Sequence, residues 1–326
     1  MKKFVKISLI TAGILAALGF VCCMTSVLAG GRSLIYWVNN DEQLHAQLEN
    51  AGDAVENALD NISDGKLHLV FRDNKFSIGN DEYAEMVQID EDRSYSAQDV
   101  KRLNLVLGAG FFTVREKEVS DGNIEIHVKG VGECETFVKD QTLYVEGFKG
   151  IDIAVFGHTK FENQITIEIP AGMKFEEVDV EIGAGVMDIS SCETGGLSAE
   201  IGAGELLLRD IKAEEFSAEI GAGHMDAQNV TVQEADLIVS MGECIYNGSI
   251  VQNLDAECDM GNMEFMLEGS KEDYNYEIEC STGNIEVDRS SWHALGLEKS
   301  INNGADGTLD LTCNMGNITV LFSNGK

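Results

Sequence analysis

"VEIGAG" at Val180–Gly185, "AEIGAG" at Ala199–Gly204 and "AEIGAG" at Ala218–Gly223 recur 19 residues apart (202 − 183 and 221 − 202). Self-similarity at a short fixed period marks a stacked architecture, in which each repeat buries its apolar positions against its neighbours. Counted from Gly183, offsets 4, 6, 9, 14, 16 and 18 hold Met187, Ile189, Cys192, Leu197, Ala199 and Ile201. From Gly202 the same offsets hold Leu206, Leu208, Ile211, Phe216, Ala218 and Ile220; from Gly221 they hold Met225, Ala227, Val230, Ala235, Leu237 and Val239. Every one is apolar or small. One period accommodates two short alternating stretches and their turns, but not a strand with a full crossover helix. The expected fold is all-β: a single-stack β-solenoid with about two short strands per 19–22-residue rung. Gly-Ala-Gly is then a repeated corner, where glycine supplies unusual backbone angles and lets rungs approach closely.

The pattern extends outward from these rungs. "SMGECIY", "DMGNMEFML", "STGNIEV" and "NMGNITVLF" each keep a glycine turn followed by a strand, and "SSWHALGLEKSINNGADG" is an insertion between strands. Upstream, "LGAG" at Leu107–Gly110 and "DGNIEI" at Asp121–Ile126 place related rungs well before the clean repeats. Alternation with period two begins near Lys66 with "KLHLVF", so the solenoid is expected over 66–326.

Before the solenoid the organisation changes. Lys2, Lys3 and Lys6 precede a charge-free run over 7–31, and 25 helical residues at about 1.5 Å each span a bilayer core of roughly 30 Å. The positive flank on the amino side predicts a cytoplasmic stub over 1–6 and export of the remainder. The preferred reading is an uncleaved single-pass anchor with an extracellular carboxy-terminal domain; the alternative is a secreted chain cleaved after "VLA" at Val27–Ala29. Over 40–64, Leu44, Leu48, Ala51, Val55, Leu59 and Ile62 recur at helical spacing among acidic residues. This predicts an amphipathic acidic spacer, with self-association as a coiled coil the rival reading.

The sequence has 23 Lys+Arg against 56 Asp+Glu, a net charge of −33, which repels phosphate backbones and argues against a nucleic-acid partner. With 34 glycines and one proline, nearly every backbone amide is free to donate in a sheet.

The "LGAG" strand, the approach "IEIPAGMKFEEVDVEIGAG" and the tandem "EIGAG" rungs resemble the toast-rack adhesin-type domain of unknown function, over about Val100–Phe322. The resemblance implies an extracellular β-solenoid of Gram-positive surface proteins, sometimes membrane anchored and in some members linked to envelope stress. It brings no catalytic residue and no cofactor.

Candidate sites are few. Glu181, Glu200 and Glu219 fall two residues before successive corner glycines, with Ser240 and Asp259 continuing the column as read from the glycines. Stacked like charges destabilise a sheet, and Ca²⁺ held between oxygens at Glu181, Glu200, Glu219 and Asp259 would offset that; the competing reading is a solvated acidic face. Cys258, Cys280 and Cys313 sit three residues before corner glycines, in the column read as Val180, Ala199, Ala218 and Val239. With Cys134, Cys192 and Cys244 they are expected as free buried thiols, a disulfide between rungs being the alternative. Asp188 and Asp226 share an offset on rungs separated by Leu207, the nearest approach to a glycosidase-like carboxylate pair. Tyr274, Tyr276, Trp292 and His293 lie near the later insertions, as sugar-stacking aromatics or as a cap on the open end left by Ile318–Phe322. The expected function is a non-catalytic binding scaffold for an unidentified surface protein or glycan. A polysaccharide-active β-helix enzyme and a cation-stabilised structural surface protein are the alternatives.

Overall fold

The computed structural model describes residues 68–72, 75–79, 88–117, 122–148, 151–154, 163–288, 290–292 and 296–323. The expected anchor over 7–31 and spacer helix over 40–64 lie outside the described residues. Among the described residues no helix is long and apolar enough to cross a membrane. There the helical elements are two three-residue 3₁₀ turns, Ala97–Asp99 and Lys271–Asp273.

Strands His68–Arg72, Lys75–Gly79 and Ile151–Ala154 make a three-stranded sheet of their own, all but Arg72 and Ile151 belonging to a separate compact unit. The solenoid expected from residue 66 therefore takes its strands from Gln88 onward: nineteen strands, Gln88–Ser96 to Asn317–Ser323, form one hydrogen-bonded system.

Four successive rungs, Val186–Ile201, Glu205–Ile220, His224–Val239 and Glu243–Cys258, are each a single 16-residue strand bent in the middle. The rungs pair in parallel, mostly at the 19-residue offset, as in Met187↔Leu206↔Met225↔Cys244. Bending gives each rung two arms, and the arms build two facing sheets around one core. All eighteen positions picked out by the six offsets are buried. Fully burying a residue of Leu or Ile size contributes roughly 1.5–3 kcal/mol, so these inward columns supply the main stabilisation of the stack.

The two corners of each rung differ. At the second corner of the first three rungs Ser191, Asp210 and Asn229 adopt left-handed φ values of 56°, 55° and 56°; the fourth rung shifts register there and has Gly248 instead. One left-handed residue reverses the alternation and folds one arm over the other, and Asp and Asn tolerate that region better than most residues. At the Gly-Ala-Gly corner, Gly183, Gly185, Gly202, Gly204, Gly221 and Gly223 do not take positive φ. The expectation of unusual angles there is corrected: these glycines serve close approach. A Cβ on Gly204 or Gly223 would lie 2.5 Å from the carbonyl oxygen of the rung below, whereas one on Gly202 or Gly221 would lie 2.9 Å from it. Later rungs obey that difference. Ser240, Asp259, Asn314 and Ser281 replace the first glycine, while Gly242, Gly261, Gly316 and Gly283 keep the second.

Stack order departs from chain order at both ends. The rung Arg102–Leu107, Gly108–Gly110, Phe111–Glu116 lies between Thr142–Gly147 with Gln164–Ile169 on one side and Lys174–Ile182 with Val186–Ile189 on the other. At the far end, Gly307–Cys313 pairs with Glu243–Cys258 and with Tyr274–Cys280. Asn317–Ser323 likewise pairs with Asn262–Glu268 and with Asn284–Val287. The last strand is thus interior, and the unpaired edge expected at Ile318–Phe322 is not there. The terminal positions belong to Ser290–Trp292 and Leu297–Ile301, added antiparallel.

Candidate functional site

Along the Gly-Ala-Gly corner an open groove of about 780 Å³ runs across four rungs. Its floor is backbone and methyl groups, from Ala184-Gly185, Ala203-Gly204 and Ala222-Gly223. Its wall is the first outward column, Val186, Glu205, His224 and Glu243, and Met241 lies at one end. His224 Nδ1 lies 3.2 Å from Glu243 Oε2. The groove exists because only glycine fits at the second corner position, and it offers a shallow, backbone-lined track beside Glu205, His224 and Glu243.

A second open depression, about 660 Å³, lies on the outer face of the other arm over Asp236, Asp255 and Asp310, in register on successive strands. Burial and then the Asp236 carboxylate raise the Asp255 pKa. Asp310 is raised by burial, then by Asp255, Glu279 and Glu277; Glu257 is raised by burial, then by Asp259, Asp255 and Asp236. This face holds stacked like charge at an electrostatic cost.

A third cluster is balanced. His127 Nδ1 lies 2.6 Å from Asp92 and its Nε2 3.7 Å from Glu168; Arg115 donates to Glu168 at 2.7 Å, and Lys117 Nζ is 3.0 Å from Glu125. The hydrogen bond to Asp92 raises the His127 pKa. Glu125, His127 and Glu168 are the one group among the described residues whose potential metal-ligating atoms lie within 4.8 Å of one another. Three carboxylates facing Arg115, Lys117 and His127 form a polar network that ties four strands together.

The residues singled out in the sequence fall as follows. Glu181, Glu200 and Glu219 are in register on adjacent rungs, but the next positions in that column are Ile238 and Glu257. Asp259 is displaced from it: it follows Gly183, Gly202, Gly221 and Ser240 at the corner, its amide donating to the Val239 carbonyl at 2.9 Å. The reason is the loss of the first corner glycine, so that the surviving glycine marks a position two residues later. The same slip moves the cysteines. Cys258, Cys313 and Cys280 stack in that order in the column of Ile182, Ile201, Ile220 and Val239.

All six cysteines outside the 7–31 run are buried free thiols. Burial pushes Cys134 up to about 11, and Cys192 and Cys244 up to about 12. Cys258 is raised by its hydrogen bond to Cys313 and by burial. Cys313 is lowered by the same bond, supported by the amides of Asn284 and Gly316. Asp188 accepts from Arg209 of the next rung at 2.6 Å and Asp226 from Gln228 of its own rung at 2.6 Å, so each carboxylate is engaged separately. Tyr274 and Tyr276 are buried, their hydroxyls donating to the carbonyls of Ile250 and Lys271, which corrects their reading as exposed sugar-stacking groups. Trp292 lies on an edge strand under Lys299, 5.3 Å from its Nζ, and His293 is outside the described residues.

Three features escaped sequence reasoning. The 127-centred network joins residues far apart in the chain, and no spacing announces it. The left-handed corner was legible as Ser191, Asp210 and Asn229 at the exact repeat of 19. The methionines of "SMG", "DMG" and "NMG" were legible as a column once the surviving glycine was recognised as the second of the pair.

The fold defines a class: a two-sheet, parallel β-solenoid with a glycine-built corner. The Toastrack DUF4097 family pattern matches residues 104–319, and the chain belongs to that family. No curated protein matches it. Solved structures similar to it include a candidate adhesin of Bacteroides fragilis, with 14% identity, TM-score 0.38, and coverage of 74% of this chain and 98% of that one. Another is a candidate cell adhesion protein of Clostridium sporogenes, with 13% identity, TM-score 0.34, and coverage of 73% and 100%. A third is a candidate lipid-binding protein of Parabacteroides distasonis, with 12% identity, TM-score 0.36, and coverage of 72% and 94%.

Proposed function

We propose that this protein is a non-catalytic surface-binding scaffold, anchored by residues 7–31 and displaying the solenoid outside the membrane to a protein or glycan partner. The observation that carries the reading is the groove over Ala184–Glu243, open along four rungs and built on backbone that cannot vary. A track of this shape accommodates an extended chain lying along the stack, with Glu205, His224 and Glu243 selecting its polar groups. The acidic faces repel polyanions and leave neutral or cationic partners favoured. Two measurements test the reading. Protease added to intact cells should remove the solenoid without permeabilisation; cleavage only after permeabilisation overturns the surface placement. On a panel of envelope glycans and peptides, a bound member should remain chemically intact and lose affinity in the Glu205→Ala, His224→Ala double variant. Turnover of the ligand would instead support the enzyme alternative.

A further inference from the structure

The corner residue between the two glycine positions forms a column in its own right. Backbone bonds join one rung to the next along it: Ala184 to Gly108, Ala203 to Gly183, Ala222 to Gly202, Met241 to Gly221, Met260 to Ser240 and Met315 to Asp259, all amide to carbonyl at 2.6–2.9 Å. In stack order the column therefore reads Ala109, Ala184, Ala203, Ala222, Met241, Met260, Met315, and then Thr282, whose amide donates to Asn314 at 2.7 Å. Three consecutive rungs place methionine where the preceding four place alanine. Chain separations of 19 and 55 residues (260 − 241 and 315 − 260) become adjacency because the last strands are inserted into the stack.

These side chains are not packing. Met241, Met260 and Met315 are 37%, 53% and 63% exposed, whereas Met187, Met225 and Met263 in the core are fully buried. The corner itself has no need of bulk, since alanine serves it elsewhere. Neighbouring strands lie about 4.8 Å apart, and a methionine side chain has three torsions, so sulfur atoms from three successive rungs can converge on one point. Asp259, next to Met260 in the chain, accepts from Asn314 Nδ2 at 2.7 Å, a bond that joins the two methionine-bearing corners. Thioethers are soft, neutral donors that select Cu(I)-like ions over hard cations.

From this stacking we infer that Met241, Met260 and Met315 form a binding site for a soft monovalent cation, Cu(I) or its surrogate Ag(I). The site adjoins the groove, sharing Met241 with its end, but does not depend on the partner proposed above. Thioethers carry no proton near neutral pH, so affinity is independent of pH, unlike binding through imidazole or thiol.

The test uses the full-length protein labelled with ¹³C at the methionine methyls, titrated with Ag(I) and, under reductant, with Cu(I). The methyl signals of Met241, Met260 and Met315 should shift together and saturate at one equivalent. Met266, 41% exposed on the outer sheet face and stacked beside Asn247 and Leu321, should stay in place as the isolated-methionine control. Competition against a Cu(I) chelator should give the same affinity at about pH 5 and about pH 7.5, and at least tenfold weaker binding in the Met→Leu triple variant, roughly 1.4 kcal/mol or more. Met→Leu conserves volume at exposed sites, so folding is checked by an unchanged melting curve. Equal shifts at Met266, undiminished affinity in the triple variant, or affinity that collapses at acid pH each overturn the assignment; the last would point to histidine or the buried thiols.

Discussion

From Glu205 to Val239 neighbours in the stack are also neighbours in the chain, each rung resting on the one written 19 residues earlier. From Glu243 to Ser323 they are not: the strands written last lie between strands written before them. In the first region a rung contributes to stability chiefly through its two neighbours, so defects stay local. In the second, two sheets are closed by one terminal segment, and everything around it depends on that segment arriving. The difference also changes what the surface offers. The regular region presents a bare Ala-Gly corner and the inserted region a thioether ridge on the same line.

The largest expected effect comes from ending the chain at residue 306. This removes Leu309, Leu311, Cys313, Ile318 and Val320, all fully buried, from the middle of both sheets. The loss is on the order of 5–15 kcal/mol, comparable with a whole domain's stability. Limited proteolysis should then digest residues 243–301 while Lys174–Val239 persists; survival of the far end would break the comparison.

Corner substitutions in the regular region come next. Gly204→Ala forces a Cβ to 2.5 Å from the Gly185 carbonyl and should cost about 1–3 kcal/mol in denaturant unfolding. Gly202→Ala, at 2.9 Å from Gly183, should cost less. Gly196→Ala, with nothing within 4 Å, should stay within about 0.5 kcal/mol of the parent. At the opposite corner, Asp210→Val puts a β-branched residue at φ 55° and should destabilise by about 1–2 kcal/mol, while Asp210→Gly should be neutral or stabilising.

Acidity acts more mildly and in one direction. His127, Asp255, Glu257 and Asp310 all have raised pKa values, so the native state holds their protons more tightly than the unfolded chain. Their contribution is fully present below the ordinary values, 6.5 for the histidine and 3.8–4.5 for the carboxylates. It is lost as pH rises through the raised ones. Melting temperature should therefore rise slightly on going from about pH 8 to pH 5, and the histidine part of that rise should shrink in Asp92→Asn, leaving the smaller share from Glu168 and Glu125. The smallest effect is expected from millimolar Ca²⁺. The column of Glu181, Glu200 and Glu219 runs into Ile238 rather than Asp259, and a shift of more than a few degrees would restore the acidic ladder as a cation site.

The contrast between the two regions is also the limit of what the sequence made legible. Where the period holds, six offsets located eighteen core positions correctly, because burial in a parallel stack repeats with the rung. Where the first corner glycine gives way to Ser240 and Asp259, counting from glycines misplaced a carboxylate and three cysteines by two residues; counting by 19 from Glu219 would have reached Ile238. The intercalation of residues 307–323 left no local trace, because parallel pairing follows the meeting of inward columns and not chain order. Of the candidate site, the glycine floor was evident, but the groove's wall and the methionine ridge required the register.

Hydrogen exchange over residues 307–323 of the full-length protein tests the insertion most directly. Paired on both sides, these amides should exchange as slowly as those of Glu205–Val239, and far more slowly than Ser290–Trp292 and Leu297–Ile301 at the edges. Rapid exchange over 307–323, with slow exchange at 297–301, would contradict it and return the stack to chain order.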